Sequence, residues 1–216
     1  ANYGTDGQVL TSAGAGAAVA LEDAAGFDVT SITGATALTV PPASTDEVVI
    51  SDAGTLKKMD LALIQNRPIF WAYHDTTLAI ANGSATKFAA NTEVIDSDSV
   101  YDNSSTLGRV TIPAGMGGIW VFGYKIAVPG VDANELARGE FHINGDNATN
   151  YYGDLNNYTP TGTNNTVKVS ATIVIDCDAT DYVELYIYQN SGDSQDLASK
   201  KGGNCFFGWR IAGGEQ

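Results

Sequence analysis

The 216-residue chain is poor in the residues that most often carry chemistry: it has two histidines, two cysteines and two methionines. Cys177 and Cys205 are far apart, with no CxxC and no Cys/His cluster, so neither a zinc site nor a disulfide framework is indicated. Two free, half-buried thiols are expected, with a single bridge as the alternative. No stretch approaches 18 consecutive apolar residues, which leaves no candidate membrane-spanning helix. Positive charge is scarce too. Eleven Lys and Arg stand against 25 Asp and Glu, and the net charge of −14 argues against nucleic acid or anionic lipid as a partner. There is no initiating Met and no signal-peptide pattern, so the chain is expected to begin inside a longer product or after cleavage. Gly-x-Ser-x-Gly, P-loop and HExxH motifs are missing, and the chain is read as a non-enzyme.

What is present is a low-charge composition with 24 glycines and 44% hydrophobic residues, enough for a real core. The texture changes near residue 67. Before it, Ala13 to Ala20 is a run of Ala, Gly and Val with no aromatic neighbour, which cannot fold alone. Thr36–Val40 and Val48–Ile50 are strand-like around Pro41-Pro42. Leu56, Met59 and Leu63 have i, i+3, i+7 spacing, which predicts one short helix ending at Asn66-Arg67-Pro68. After Pro68 the period becomes two. Trp120, Phe122, Tyr124, Ile126 and Val128 share a face, as do the odd positions of 167–177. Val183, Leu185 and Ile187 oppose Tyr182, Glu184, Tyr186 and Tyr188. These are half-buried antiparallel strands, and turn signals such as Asn144-Gly145 between them predict an all-β sandwich or barrel.

The strand landmarks resemble the C1q/TNF-like jelly roll. They are Phe88 with Thr92–Ile95, Tyr101-Asp102, Leu107-Gly108-Arg109-Val110, Pro113 and Gly118-Ile119-Trp120-Val121-Phe122. Asn144-Gly145, Ile173–Ile175, Asp181–Leu185 and Phe206-Phe207-Gly208-Trp209-Arg210-Ile211 follow in the family's order. Thr180 stands where the family usually has Gly, and the loop 144–166 is long. Residues 4–23, GTDGQVLTSAGAGAAVALED, resemble a bead repeated in bacteriophage fibre proteins. Residues 45–61, TDEVVISDAGTLKKMDL, are similar to a segment that precedes fibre tips. The resemblances together imply a shaft or attachment segment over 1–67 and a C1q-like jelly-roll knob over 68–216. They further imply a homotrimer on the phage particle surface, joined to other virion proteins through its N-terminal arm. Binding of host-surface glycan is the leading expectation. A head fibre or capsid-decoration protein without receptor role, and a secreted bacterial C1q-like protein, are the alternatives.

Candidate ligand residues follow from side-chain chemistry. Asn150, Tyr151, Tyr152, Asp154, Asn156, Asn157 and Tyr158 combine flat rings with amide hydrogen-bonders, as sugar and protein contacts require. Asp96, Asp98 and Asp102, at alternating spacing, are candidate oxygen ligands for calcium, the one cofactor considered, against the plainer reading of solvated acidic loops. Asp176, Asp178 and Asp181 form a second such loop. His74 and His142 are assigned structural roles.

Overall fold

A computed structural model describes residues 8–11, 15–16, 20–23, 39–43, 45–61, 67–145 and 155–213. The chain divides into two compact units, Ala1–Gln65 and Asn66–Gln216. The described elements are strands.

In the first unit, β1 (Gln8–Thr11) pairs antiparallel with β2 (Ala20–Asp23), and β3 (Glu47–Asp52) with β4 (Thr55–Asp60). The helix expected on Leu56, Met59 and Leu63 is therefore corrected: Leu56 and Met59 lie on β4, and Leu63 falls outside the described residues. Turn chemistry overrides the helical spacing. Ala53 and Gly54 both take positive φ, 47° and 83°, the two-residue turn whose twist matches a hairpin. Lys57–Asp52 and Lys58–Glu47 ion pairs then tie the strands across. The Thr36–Val40 strand and the Ala13–Ala20 run lie largely outside the described residues.

The second unit runs through β5 (Ile69–Tyr73), β6 (Leu78–Ile80), β7 (Thr86–Lys87), β8 (Thr92–Asp96) and β9 (Tyr101–Asp102). It continues with β10 (Arg109–Thr111), β11 (Gly118–Val131), β12 (Ala137–Ile143), β13 (Leu155–Tyr158) and β14 (Asn165–Cys177). It ends with β15 (Tyr182–Gln189), β16 (Gln195–Leu197) and β17 (Cys205–Gly213). One sheet has the order β14-β11-β17-β5-β8. The other is β13-β12-β15-β10-β9, with β7 added to β15 and a small β16-β6 pair beside them. Chain neighbours such as β10 and β11, β11 and β12, or β14 and β15 sit in opposite sheets, so the connections cross between layers as Greek keys do.

The alternation predicted from sequence is the one that forms. Trp120, Phe122, Ile126 and Val128 are fully buried, as are Val183, Leu185 and Ile187. Phe206 sits at the centre. Its ring lies 4.9 Å from Phe70, 6.4 Å from Phe122, 6.2 Å from Tyr101 and 6.0 Å from Phe141. The first two come from its own sheet and the last two from the facing one. Both cysteines are buried thiols rather than half-buried ones, and no bridge joins them. Burial and the nearby Asp181, Asp176 and Asp178 push the Cys177 thiol up to about 12.

Asp181 builds its turn as its short carboxylate suggests, accepting from the Asp178 amide at 2.8 Å. Thr180 is held there at φ 80° while its amide donates to the Ile112 carbonyl at 2.9 Å. A β-branched residue pays for this left-handed conformation, which glycine adopts freely. Thr180→Gly is expected to raise unfolding free energy by about 1 kcal/mol in chemical denaturation. Phe206→Ala should lower it by about 3–5 kcal/mol, because the cavity opens between both sheets.

Candidate interaction surfaces

Each sheet has one face in the core and one facing outward, and the two outward faces differ in chemistry. On the five-stranded sheet the outward positions at the Ile69 end of β5, with their neighbours on β8 and β17, are apolar. Register sets Phe207 beside Trp71 and Trp209 beside Ile69, with Ile95 against Trp71 on the next strand. Ile69, Ile95, Trp209 and Ile211 are each about 40% exposed (39%, 44%, 39% and 42%), and Val174 on β14 is 60% exposed. Ile69, Trp71, Ile95, Cys205, Phe207 and Trp209 line a shallow groove of about 340 Å³. The Phe207 and Trp209 rings are parallel, 6.2 Å apart. A contiguous aromatic and aliphatic face of this kind marks an interaction site rather than ordinary surface.

The other sheet turns a charged network outward. Glu184 Oε1 accepts from Lys87 Nζ at 2.8 Å and from Arg109 Nε at 2.9 Å. Tyr186 OH lies 3.3 Å from Glu184 Oε2. On β12, Glu140 accepts from Arg138 Nε at 2.7 Å, and His142 Nε2 lies 3.4 Å from its other oxygen. The His142 ring stacks on Tyr186 with centroids 3.9 Å apart. The Arg109 guanidinium covers the Tyr182 ring at 3.8 Å, and that of Arg138 covers Tyr188 at 4.2 Å. Both glutamates are about 95% buried, Glu140 being 5% and Glu184 4% exposed. The His142 bond, against the cost of burial and with help from Arg138, holds Glu140 below the usual carboxylate range. For Glu184, burial pushes upward, but the Lys87 and Arg109 bonds outweigh it and the net shift is downward.

Sequence reasoning placed Tyr182, Tyr186 and Tyr188 together on one face of a strand and gave His142 a structural role. It missed the network those residues form. The signal was present: Arg138, Glu140 and His142 alternate on one strand and face Tyr188, Tyr186 and Glu184 in register on the next. Because Arg or His covers each of the three rings, this face is zipped shut rather than open for stacking.

The predicted site residues are distributed as follows. Asn150, Tyr151, Tyr152 and Asp154 lie outside the described residues, while Asn156, Asn157 and Tyr158, expected on a loop, belong to strand β13, with Tyr158 opposite Ala137. The loop expectation is corrected there because Leu155–Tyr158 finds a partner in the edge of β12. The calcium set is not assembled. Asp96 accepts from the Val100 and Tyr101 amides, both at 3.0 Å, and Asp98 from the Ser97 hydroxyl. Asp102 caps the following turn, taking amide and hydroxyl bonds from Ser104, Ser105 and Thr106 that hold its carboxyl far below the usual range. These acids spend their oxygens on their own turns. Among the described residues no group of three or more such side chains converges on a metal position.

The strand order decides the architecture. The second unit is a jelly-roll sandwich. No family model matches the chain, and no curated protein does. Among solved structures it is similar to the globular domain of zebrafish complement 1qA, with 16% identity over 67% of this chain and 98% of that one, at a TM-score of 0.45. Murine APRIL aligns with 9% identity over 68% and 100%, at a TM-score of 0.48. Eiger TNF from S. frugiperda aligns with 7% identity over 69% and 94%, at a TM-score of 0.45.

The zipped face makes a pH prediction. Both glutamates have folded-state values below the ordinary 4.5, so their contribution to stability is complete above that value and is lost as pH falls through the folded-state values. Denaturation series below pH 4.5 should show the wild-type loss, and the Glu140→Gln/Glu184→Gln double variant a flatter profile. At neutral pH Glu184→Gln is expected to cost about 1–3 kcal/mol, less than for a fully buried pair because Lys87 and Arg109 keep about a quarter of their side chains in water (26% and 29%).

Proposed function

We propose that this chain is a self-associating, non-enzymatic binding module: the trimeric knob of a virion fibre or spike, presented to host-surface glycan. The observation that carries self-association is the open apolar face of the five-stranded sheet, with Ile69, Ile95, Trp209 and Ile211 each about 40% exposed on one chain. Burying such a face against a second copy removes apolar area from water at roughly 25 cal/mol per Å². The number three comes from the resemblance of the 88–211 landmarks to the C1q/TNF-like family. The virion setting comes from the resemblance of residues 4–23 and 45–61 to phage-fibre segments. A head fibre or decoration protein uses the same assembly and differs only in lacking a receptor.

Native mass spectrometry of the full chain at micromolar concentration is expected to give three times the chain mass. Ile95→Asp/Trp209→Asp, which alters only outward positions, should give a folded monomer with unchanged strand content by circular dichroism. A wild-type monomer would sink the assembly reading. Binding of the trimer to an array of bacterial surface glycans is the expected readout for the knob, and silence across the array favours the decoration role.

A further inference from the structure

The positive charges of this chain are few, and their placement is uneven. Of eleven Lys and Arg residues, Lys57 and Lys58 pair within the β3–β4 hairpin. Lys87, Arg109 and Arg138 are committed to Glu184 and Glu140. Arg210 donates to the Gly117 carbonyl at 2.7 Å, and Arg67 precedes β5 at its Ile69 end. The remaining four, Lys125, Lys168, Lys200 and Lys201, collect at the opposite end of the five-stranded sheet.

Register places them together. Lys125 on β11 faces Cys205 on one side and Ser170 on the other, and Lys168 lies two residues from Ser170 on β14. Lys200 and Lys201 sit in the turn before β17, and that turn is anchored on β11 by Asn204, whose side chain accepts from the Ala127 amide at 2.7 Å. Ala127 is itself the partner of Lys168. Lys201 Nζ reaches to 5.9 Å from the Trp71 ring centroid, and Tyr73 pairs with Cys205 beside it. All four lysines are exposed, and among the described residues none has a carboxylate within ion-pairing distance. Asp75, Glu135 and Asp132 near this end accept from Asn91 Nδ2, the Asp132 amide and the Asn164 amide respectively, bonds that orient these carboxylates without removing their charge.

We infer that this lysine cluster, with the half-buried Tyr73 at its margin, is a binding site for an anionic saccharide bearing carboxylate, sulfate or phosphate groups. The Debye length at physiological salt is about 8 Å, so acids on the facing sheet, about 10 Å away, are largely screened while neighbouring lysines act together. A sugar polymer fits better than duplex DNA, because the Tyr73 ring beside the cations can pack against a pyranose ring but cannot reach stacked base pairs. The inference rests on the surface-glycan reading of the knob, and it names the chemical class of that glycan.

The full chain, applied to immobilised heparin at low salt, is expected to be retained and to elute as salt rises, with neutral dextran retaining nothing. The combined variant Lys125→Ser/Lys168→Ser/Lys200→Ser/Lys201→Ser changes only exposed side chains and should melt at the wild-type temperature. It is expected to bind on the order of tenfold more weakly, or more where several copies engage one polymer. Absence of retention at low salt overturns the inference, as does equal retention by duplex DNA. A native mass altered in the quadruple variant also overturns it, because the lysines would then belong to the interface between copies. An unaltered wild-type monomer that still binds heparin would sink the assembly reading alone.

Discussion

The structure depends on the aromatic packing around Phe206. Its ring is fully buried and touches Phe70 and Phe122 in its own sheet and Tyr101 and Phe141 in the other. The two sheets are joined chiefly by such side-chain packing, since backbone hydrogen bonds run within each sheet. Gly208 is part of the same constraint. A Cβ there would sit 2.6 Å from the Val121 carbonyl oxygen and 2.7 Å from the Phe70 ring, so the strand pair closes only around glycine. With β17 fixed between β11 and β5, the outward alternation of Phe207 and Trp209 follows from the inward alternation of Phe206 and Gly208. The apolar face is thus a geometric consequence of how the core is filled.

That coupling explains the contrast between the two surfaces. On β12 and β15 the core-facing residues Phe141, Val183, Leu185 and Ile187 likewise dictate which side chains point out. There, alternation delivers Arg138, Glu140, His142, Glu184 and Tyr186. Opposite charges in register neutralise one another and cover the tyrosine rings, so this side is finished within one chain. The five-stranded sheet has no such internal partners for Ile95 or Trp209. The second unit thus carries one face neutralised by its own pairs and one apolar face left exposed.

Much of this was legible in the sequence, and the limits have physical causes. Period-two patterning marked β11, β14 and β15 because each buries one side chain in two, and that signal survives without knowledge of partners. The hairpin at Glu47–Asp60 was misread because Leu56, Met59 and Leu63 match a helical stripe by chance, while Ala53-Gly54 carries the stronger local constraint in only two residues. Asp96, Asp98 and Asp102 do not converge on a common position, because sequence spacing gives acid positions but not what their oxygens already accept. The charged network was missed for a different reason. Its members lie on four strands, and cross-strand register is invisible until the sheet order is known. Of the seven ligand candidates, Asn156, Asn157 and Tyr158 are placed on an edge strand, and the other four lie outside the described residues.

Gly123 shows how finely the open face is set. It lies beneath the Phe207 ring, close enough that an added Cβ would meet Cζ and Cε2 at 2.4 and 2.5 Å, with Thr172 Oγ1 at 3.2 Å on the other side. The height at which the Phe207 ring rides above the sheet is therefore governed by a missing methyl group. A single carbon at position 123 would lift that ring outward while leaving its own inward neighbours, Phe122 and Tyr124, in place. The surface relief of the molecule can thus be adjusted from one strand, through this backbone position alone, without disturbing the interior.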